Sequence, residues 1–434
     1  MSSTSGTRTL NLKRILDEPV DWRYKAFPPG AAVPIRAVGE QGWNVLGGAF
    51  MCPVMILKDP ALRHNLREMA GYCRTNGVEL APHGKTHMSP QLFQMQLDAG
   101  AWALTVANVS QALVWRSFGA ERIILANELV EPGSARWVAE ELKRDPDFEL
   151  FCLVDSAAGV AILDSALEEA GPGRRLKVFV EVGFSGGRTG GRTLEDARNV
   201  ARAVARSRNL LMAGVESFEG IIHEGEPAAT LEAVDRFMRA LRAVVIDLDE
   251  AGLFSQTEEV VVSAGGSAFF DRVVTGLGEP WHLSKPVRLV LRSGCYLTHD
   301  ALHYAHTSPF GGRLASTEPL RDAMEVWGAV LSLPEPGLAL LGFGKRDVSY
   351  DLGLPLPRLV KSGTEAVRRV RGEASIFALN DQHAYMRLAA EEDLRVGDLV
   401  GCGISHPCTA FDKWRLIPVV DDEYRVLDAV LTYF

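Results

Sequence analysis

Short apolar runs alternate with longer amphipathic segments through the middle of the chain. Eight of these runs have the length and composition of buried strands. They lie at residues 78–82, 102–106, 122–126, 149–154, 177–182, 211–216, 259–263 and 287–291. Helical periodicity fills most of the intervals. Strands separated by helices predict a parallel sheet, and eight such units over about 230 residues predict a closed (β/α)₈ barrel. An open doubly wound sheet is the alternative, but no G-x-G-x-x-G follows the first strand.

The pattern changes after about residue 312. Strand-like segments now follow one another across Pro/Gly turns, without a long helical pattern between them. They lie at residues 326–333, 338–342, 374–380, 399–402 and 416–420. We therefore predict three parts: an N-terminal extension (1–50), an α/β barrel (51–312) and a mostly antiparallel C-terminal β domain (313–434).

Composition narrows the classes of partner. A net charge of -9 over 434 residues argues against nucleic acid, which favours a basic face. No stretch reaches the ~18 apolar residues of a membrane helix, and residues 1–6 lack the pattern of a signal peptide. The six cysteines are scattered, which fits reduced thiols better than a disulfide framework. We expect a cytoplasmic protein that binds a small molecule, with neither nucleic acid nor membrane as partner.

A lysine lies where the first barrel strand ends. Lys85 stands within Ala-Pro-His-Gly-Lys-Thr-His (81–87), before a helical pattern at 89–99. Barrel enzymes keep their chemistry at the carboxyl ends of the strands, and an amine there can bond covalently to a carbonyl cofactor. The alternative is a solvated loop lysine.

Small residues follow the seventh strand. Backbone N–H groups of Gly265, Gly266 and Ser267 can approach an anion closely, and phosphate sites of barrels cluster after strands seven and eight. A tight turn is the alternative. Arg-Ser-Gly-Cys-Tyr (292–296) follows the eighth strand, where Gly294 permits close approach and Tyr296 offers a hydroxyl.

A histidine and a cysteine stand two residues apart near the C-terminus. On an extended strand, His406 and Cys408 would point the same way. Imidazole and thiolate suit zinc, with water and substrate completing an open catalytic site. A buried cysteine beside a structural histidine is the alternative, because a pair alone makes an incomplete site.

Pro-His-Gly-Lys-Thr-His (82–87) resembles the P-H-x-K-T-H motif of the D-serine dehydratase and D-threonine aldolase family. These are fold-type III enzymes of pyridoxal 5'-phosphate (PLP), with an alanine-racemase-like barrel. His406-Pro-Cys408 matches the family's C-terminal H-x-C, and the resemblance spans residues 53–434. It implies a head-to-tail homodimer, with PLP on Lys85 and Zn²⁺ on His406 and Cys408; Mn²⁺ or Mg²⁺ is the alternative metal.

The resemblance also assigns supporting residues. The residues that it places around PLP are His83, Lys85, Arg188, Gly265, Gly266, Ser267, Gly294 and Tyr296. Arg188 lies in a G-R-x-G segment, although Glu181 stands where the family commonly has aspartate. His383 follows Asn-Asp-Gln, which resembles a segment near the family's active site, and it is predicted to orient the substrate or the metal-bound water. A surface histidine is the alternative there.

The family implies PLP-dependent, zinc-assisted dehydration of D-serine, D-threonine or a similar D-3-hydroxy amino acid to a 2-keto acid and ammonia. A D-threonine aldolase is the nearest alternative, but family aldolases tend to carry H-x-D, whose oxygen ligand suits manganese or magnesium. Cys408 therefore favours the dehydratase. An amino-acid racemase, a non-catalytic PLP carrier and a barrel without cofactor are further alternatives.

Overall fold

Eight parallel strands and their helices form the centre of the molecule. The computed structural model describes residues 9–30, 32–315 and 317–434, so the expectation about residues 1–6 lies outside the described residues. The strands are β1 (Pro19–Val20), β2 (Val33–Pro34), β3 (Val54–Lys58), β4 (Glu79–Leu80), β5 (Leu104–Val106), β6 (Arg122–Glu128), β7 (Glu149–Val154), β8 (Leu176–Val182), β9 (Leu210–Ser217), β10 (Val260–Ala264), β11 (Val287–Leu291), β12 (Met324–Glu335), β13 (Leu338–Leu341), β14 (Leu356–Lys361), β15 (Arg368–Arg369), β16 (Ser375–Leu379), β17 (Ala384–Arg387), β18 (Leu399–Gly403), β19 (Leu416–Val420) and β20 (Val426–Leu431). The helices are α1 (Lys13–Leu16), α2 (Asp59–Asn76), α3 (Pro90–Asp98), α4 (Val109–Ser117), α5 (Pro132–Arg144), α6 (Ala157–Ala170), α7 (Leu194–Arg206), α8 (Pro227–Glu250), α9 (Phe270–Leu277), α10 (His303–Thr307) and α11 (Cys408–Phe411).

Strands β4 to β11 form one parallel sheet in chain order, and β11 pairs back onto β4. A parallel bridge between His83 and Thr105 joins the continuation of β4 to β5 and closes the sheet. Side chains from all around the ring fill the interior, as expected of a packed barrel. The interior cluster comprises Ala81, Ala103, Ile124, Phe151, Leu153, Phe179, Ala213, Val261 and Val290. The predicted (β/α)₈ barrel is confirmed.

The barrel helices begin where the sequence supplies caps. Asn108 and Ser156 accept hydrogen bonds from backbone N–H groups in the first turns of α4 and α6. Thr193 and Asp196 form a reciprocal capping box at the start of α7. Each helix then returns the chain to the amino end of the next strand, which leaves the carboxyl ends of all eight strands at one mouth.

The second sheet is mostly antiparallel and includes a strand that precedes the barrel. Strand β12 pairs antiparallel with β13, β18 and β3, while β19 pairs parallel with β3. The predicted β domain is therefore present, and the chain passes through it before entering the barrel.

The N-terminal extension packs against the C-terminal part of the chain. The Val426 N–H donates to the Trp43 carbonyl at 2.9 Å. The Lys25 ammonium lies 3.0 Å from an Asp347 carboxylate oxygen and 4.0 Å from the centre of the Trp414 ring. Among the helices that the structure describes, none combines the length and apolar composition needed to cross a membrane.

Candidate active site

Lys85 lies on a short 3₁₀ turn, Gly84–Thr86, directly after the barrel-closing bridge. A Cβ atom at Gly84 would lie 2.6 Å from a Leu104 methyl group, so the turn packs tightly on β5. Lys85 itself is half-buried. Among the described residues its amine has neither a hydrogen-bond nor an ion-pair partner, which leaves the amine available for covalent chemistry.

His83 marks the centre of a cationic group. Burial lowers the pKa of His83 well below its usual range, and the charges of Lys85, Arg292 and Arg188 lower it further. Three cations therefore surround one neutral imidazole, and two of them, Lys85 and Arg188, are residues that the resemblance assigned to the cofactor. The His83 Nδ1 atom is buried without a hydrogen-bond partner.

Gly294 brings the end of β11 against the Lys85 segment. A Cβ atom there would lie 2.7 Å from the His83 carbonyl oxygen and 2.8 Å from the Thr86 hydroxyl oxygen. Only glycine allows this approach, because a real Cβ atom would overlap both oxygens.

Arg292 and Glu216 form a buried ion pair beside this contact. The Arg292 guanidinium donates to the Glu216 carboxylate and, at 2.9 Å, to the Ser217 carbonyl. Their side chains are 5% and 1% exposed, so each charge depends on the other. The pair bridges the ends of β9 and β11.

Buried polar atoms without partners concentrate at this mouth. Such atoms are costly, typically about 1–3 kcal/mol each, unless a ligand or water completes them. Those at the mouth include His83 Nδ1, Glu216 Oε2, Ser217 Oγ, Ser263 Oγ and Arg292 Nε. A polar ligand would satisfy them, so the residues present fit a cofactor such as the predicted PLP.

Arg188 lies on the exposed loop after β8. Its guanidinium stacks on the Phe218 ring with 4.9 Å between the guanidinium carbon and the ring centre. Glu181, which replaces the family's common aspartate, accepts a hydrogen bond from Thr189 at 2.8 Å. Glu181 therefore orders the loop that carries Arg188.

Three carboxylates meet next to Arg188, and the sequence analysis did not single them out as a group. One oxygen each of Glu128, Asp155 and Glu181 lies within 4.8 Å of the others. Burial, a hydrogen bond with Glu181 and its charge raise the pKa of Glu128 to about 8. Burial and the charge of Glu216 also raise the pKa of Glu181. Each residue lies at the carboxyl end of a different strand, so only the closed barrel shows that they are neighbours.

The predicted phosphate nest already holds an anion. The N–H groups of Gly265 and Gly266 donate to the two oxygens of Glu219 at 3.1 and 2.7 Å. Gly265 has φ +98°, a left-handed conformation that favours glycine. Ser267 lies half-buried on the turn that leads to α9.

Two predicted site residues lie elsewhere. Tyr296 is directed between α2 and α3, where its hydroxyl accepts a hydrogen bond from Gln96 at 3.2 Å. His383 is exposed on the turn between β16 and β17. Within the described chain, neither is brought to Lys85.

The expectation that His406 and Cys408 lie on an extended strand is wrong. His406 has φ +47° and Cys408 begins the short helix α11. His406 is nevertheless anchored. Its Nδ1 lies 2.5 Å from an Asp351 oxygen, and its backbone N–H donates to Asp300 at 3.2 Å. A carboxylate on the second ring nitrogen is the usual support of a metal-binding histidine, and it leaves Nε2 as the available ligand atom.

Cys408 reaches the Lys85 segment from the other end of the chain. Its sulfur lies 3.4 Å from the Thr86 hydroxyl oxygen and 3.4 Å from the Cys295 sulfur. The hydrogen bond with Cys295, followed by those with His406 and Thr86, lowers the pKa of Cys408 despite its burial. Burial lowers the pKa of His406, but hydrogen bonds with Cys408 and Asp351 outweigh it and raise that pKa to about 9. The thiolate that zinc requires is therefore favoured here.

Thr86 and Cys295 were quoted within motifs but given no role in the sequence analysis. Thr86 follows Lys85 directly, and Cys295 lies between Gly294 and Tyr296 in the Arg-Ser-Gly-Cys-Tyr segment (292–296). Their contact with Cys408 joins residues far apart in sequence, so no local pattern could reveal it.

Comparisons with known proteins support the fold and the family. The family model described as "Alanine racemase, N-terminal domain" matches residues 58–272, and that described as "Putative serine dehydratase domain" matches residues 323–420. The 3-hydroxy-D-aspartate aldolase of Paracoccus denitrificans (strain Pd 1222) is 26% identical over 305 residues, which cover 70% of this chain and 74% of that protein. The D-threonine aldolase of Arthrobacter sp is 25% identical over 342 residues, covering 77% of this chain and 80% of that protein.

Solved structures share the whole architecture. D-threonine aldolase from Filomicrobium marinum superposes with a TM-score of 0.74 at 24% identity, covering 90% of this chain and 96% of that one. D-threo-3-hydroxyaspartate dehydratase from Delftia sp. HT23 gives 0.68 at 18% identity, covering 90% and 99%. The two family models, in the order in which this fold joins its barrel to its β domain, identify the chain as a member of the D-serine dehydratase and D-threonine aldolase family of alanine-racemase-like lyases.

Proposed function

We propose that the chain is a PLP-dependent, zinc-assisted lyase that converts a D-3-hydroxy amino acid into a 2-keto acid and ammonia. One observation carries the proposal. The residue after Lys85, Thr86, has its hydroxyl 3.4 Å from the Cys408 sulfur. The predicted cofactor lysine and the predicted metal ligand thus meet at one site within one chain.

The bound groups would supply two kinds of electron withdrawal: PLP acts on the substrate's Cα, and zinc acts on its β-hydroxyl oxygen. Lys85 Nζ has no competing partner among the described residues, so it can take the Cα proton as a general base. Arg188 offers an exposed guanidinium for the cofactor ring, supported on Phe218. His83 lies at the barrel mouth among these cations, and because its pKa is lowered it stays neutral and adds no further positive charge.

The metal ligands are prepared by their neighbours. Asp351 would hold a proton at His406 Nδ1, which would leave Nε2 to bind the metal. The Cys295 sulfur and the Thr86 hydroxyl oxygen each lie 3.4 Å from the Cys408 sulfur, and their hydrogen bonds lower the pKa of Cys408, which favours the thiolate. A soft sulfur ligand favours zinc over manganese or magnesium, and this preference supports expulsion of the β-hydroxyl.

A 3-hydroxy-D-amino acid aldolase is the second candidate, because the Paracoccus and Arthrobacter relatives carry that name. An aldolase would deprotonate the same hydroxyl and break Cα–Cβ, giving glycine and an aldehyde from D-threonine. The site chemistry that separates the candidates is Cys408, and the distinction can be tested on the products.

The test incubates purified, zinc-loaded protein with D-serine, D-threonine and a 3-hydroxy-D-aspartate. We expect 2-keto acid and ammonia, loss of both on chelation with EDTA, and recovery on adding zinc. Lys85→Ala should remove the visible absorbance of bound PLP together with activity. Cys408→Asp should shift the metal preference toward manganese, whereas Cys52→Ala, at an exposed cysteine, should leave it unchanged. Glycine plus aldehyde would establish the aldolase instead, and Cα proton exchange without either product would indicate a racemase.

The cytoplasmic location predicted from composition remains a prediction, as do the homodimer and the substrate contact by His383 that the resemblance implies. His383 is exposed at the surface of the β domain. Sedimentation of the purified chain, and the KM of His383→Ala compared with that of wild type, would test them.

A further inference from the structure

Two successive backbone N–H groups converge on a buried carboxylate at the barrel mouth. Gly265 and Gly266 donate to Glu219 Oε2 and Oε1 at 3.1 and 2.7 Å. Glu219 is fully buried and comes from the loop after β9. Each carboxylate oxygen therefore receives one backbone N–H.

Glu219 lacks the partner that buried carboxylates normally have. Buried charges are usually paired with an opposite charge. Within the residues that the structure describes, no cationic side chain lies in ion-pair distance of Glu219, whereas the neighbouring Glu216 is paired with Arg292. Backbone dipoles alone hold this carboxylate, which is how a nest holds an anion.

The same two N–H groups are the ones assigned to the phosphate of PLP. Each N–H donates essentially one hydrogen bond, and two anions in one nest would repel each other strongly. Glu219 and a phosphate cannot both use Gly265 and Gly266. We propose that Glu219 is an internal ligand of this nest, which the phosphate must displace when PLP binds; the inference rests on the proposed PLP function.

The surrounding residues show what displacement would disturb. A Cβ atom at Gly266 would lie 3.0 Å from the Phe218 ring and 3.4 Å from Glu219 Oε1, so Phe218 and Glu219 together cover the nest. The Phe218 ring also carries the Arg188 guanidinium. Movement of Glu219 therefore shifts the support of Arg188, and it links the phosphate end of the pocket to the loop after β8.

The inference makes Glu219 a determinant of selectivity between PLP and pyridoxal. Pyridoxal has the same ring and aldehyde but no phosphate, so its binding does not require the nest. Replacing Glu219 should therefore strengthen the binding of PLP alone.

The experiment measures both affinities by visible absorbance on the full chain after its cofactor has been removed by dialysis. Glu219→Ala frees both N–H groups, and Glu219→Gln keeps the shape while removing the charge. We expect about a tenfold or greater gain in PLP affinity for Glu219→Ala, an intermediate gain for Glu219→Gln, and unchanged pyridoxal affinity. Glu224→Gln is the matched control, because it removes the same charge from an exposed position of the same loop.

The outcomes separate this inference from the proposed function. Weaker or unchanged PLP binding in both Glu219 variants, or an equal gain for PLP and pyridoxal, would overturn the displacement. If wild type binds neither ligand and matches Lys85→Ala, the proposed PLP function fails and the inference fails with it. If Glu219→Ala does not fold, the ratio of PLP to pyridoxal affinity in Glu219→Gln decides the question.

Discussion

Gly294→Ala tests whether the contact between β11 and the Lys85 segment is as close as the structure shows. The added Cβ would lie 2.7 Å from the His83 carbonyl oxygen, 2.8 Å from the Thr86 hydroxyl oxygen and 3.0 Å from the His83 Cβ. Ordinary contacts begin near 3.4 Å, so the closest overlap is about 0.7 Å. Gly294 does not have a positive φ, so backbone strain adds nothing.

The loss of unfolding free energy in Gly294→Ala depends on whether the atoms around the new Cβ can move away. The His83 carbonyl is fixed because His83 bridges to Thr105 across the barrel closure. The Thr86 hydroxyl is in turn held against Cys408. Overpacking of such a site typically costs about 1–3 kcal/mol, and we expect about 2 kcal/mol of lost unfolding free energy. Because the displaced segment carries Lys85, the variant should also load PLP less completely.

Urea unfolding and the visible absorbance of bound PLP measure these two effects. Gly133→Ala is the control, since nothing lies within 4 Å of its new Cβ and it stands in the first turn of α5. That change should stabilise the protein by up to about 0.5–1 kcal/mol and leave PLP loading unchanged. If Gly294→Ala unfolds at the same urea concentration as wild type and loads PLP normally, the close packing inferred for this site is wrong.

Three further changes probe charged and titratable groups of the candidate site. Arg292→Met leaves Glu216 unpaired and should lower the unfolding free energy by about 3–5 kcal/mol, whereas adding Glu216→Leu should recover much of it in the same urea assay. Asp351→Asn should weaken zinc binding about 10–100-fold in a competitive chelator titration, and the exposed Asp393→Asn should not. The folded chain keeps the Glu128 proton up to about pH 8, while the unfolded chain releases it near 4.5, so the stability from this group is present at low pH and is lost as the pH rises through about 8. Glu128→Gln should flatten that fall in unfolding free energy between about pH 4.5 and pH 8, with the exposed Glu169→Gln retaining it.

The barrel was predictable because its signal is local and repeated. Each predicted barrel strand overlaps an observed one. The agreement is complete for 149–154, which matches β7, and poorest for 78–82, of which only Glu79–Leu80 forms strand β4. The C-terminal domain was predicted less completely. Strands such as β15 and β17 are only two and four residues long, too short to give a clear period-2 pattern.

Pairings between distant segments were not predictable. Strand β3 reads as an apolar run next to the barrel, yet it pairs with β12 and β19. Nothing in five residues indicates which sheet they join. The metal pair shows the same limit, since a left-handed φ at His406, a non-glycine residue, leaves no mark in the sequence. That His406 and Cys408 are metal ligands stays a prediction, and the strand argument used for it was wrong.

Thr86 directly connects Cys408, the proposed metal ligand, to Lys85, the proposed cofactor lysine. Its hydroxyl contacts the Cys408 sulfur, and its backbone is bonded directly to that of Lys85. A Cβ at Gly294 would strike this same hydroxyl, so β11, the Lys85 turn and the C-terminal helix α11 meet at one atom. A small displacement of Thr86 would therefore change the surroundings of the Cys408 sulfur and the direction of the Lys85 amine together. The proposed elimination needs both at once, because the Cα proton and the β-hydroxyl leave from adjacent carbons. This shared contact is the physical reason to expect that cofactor loading and metal affinity are coupled in this chain.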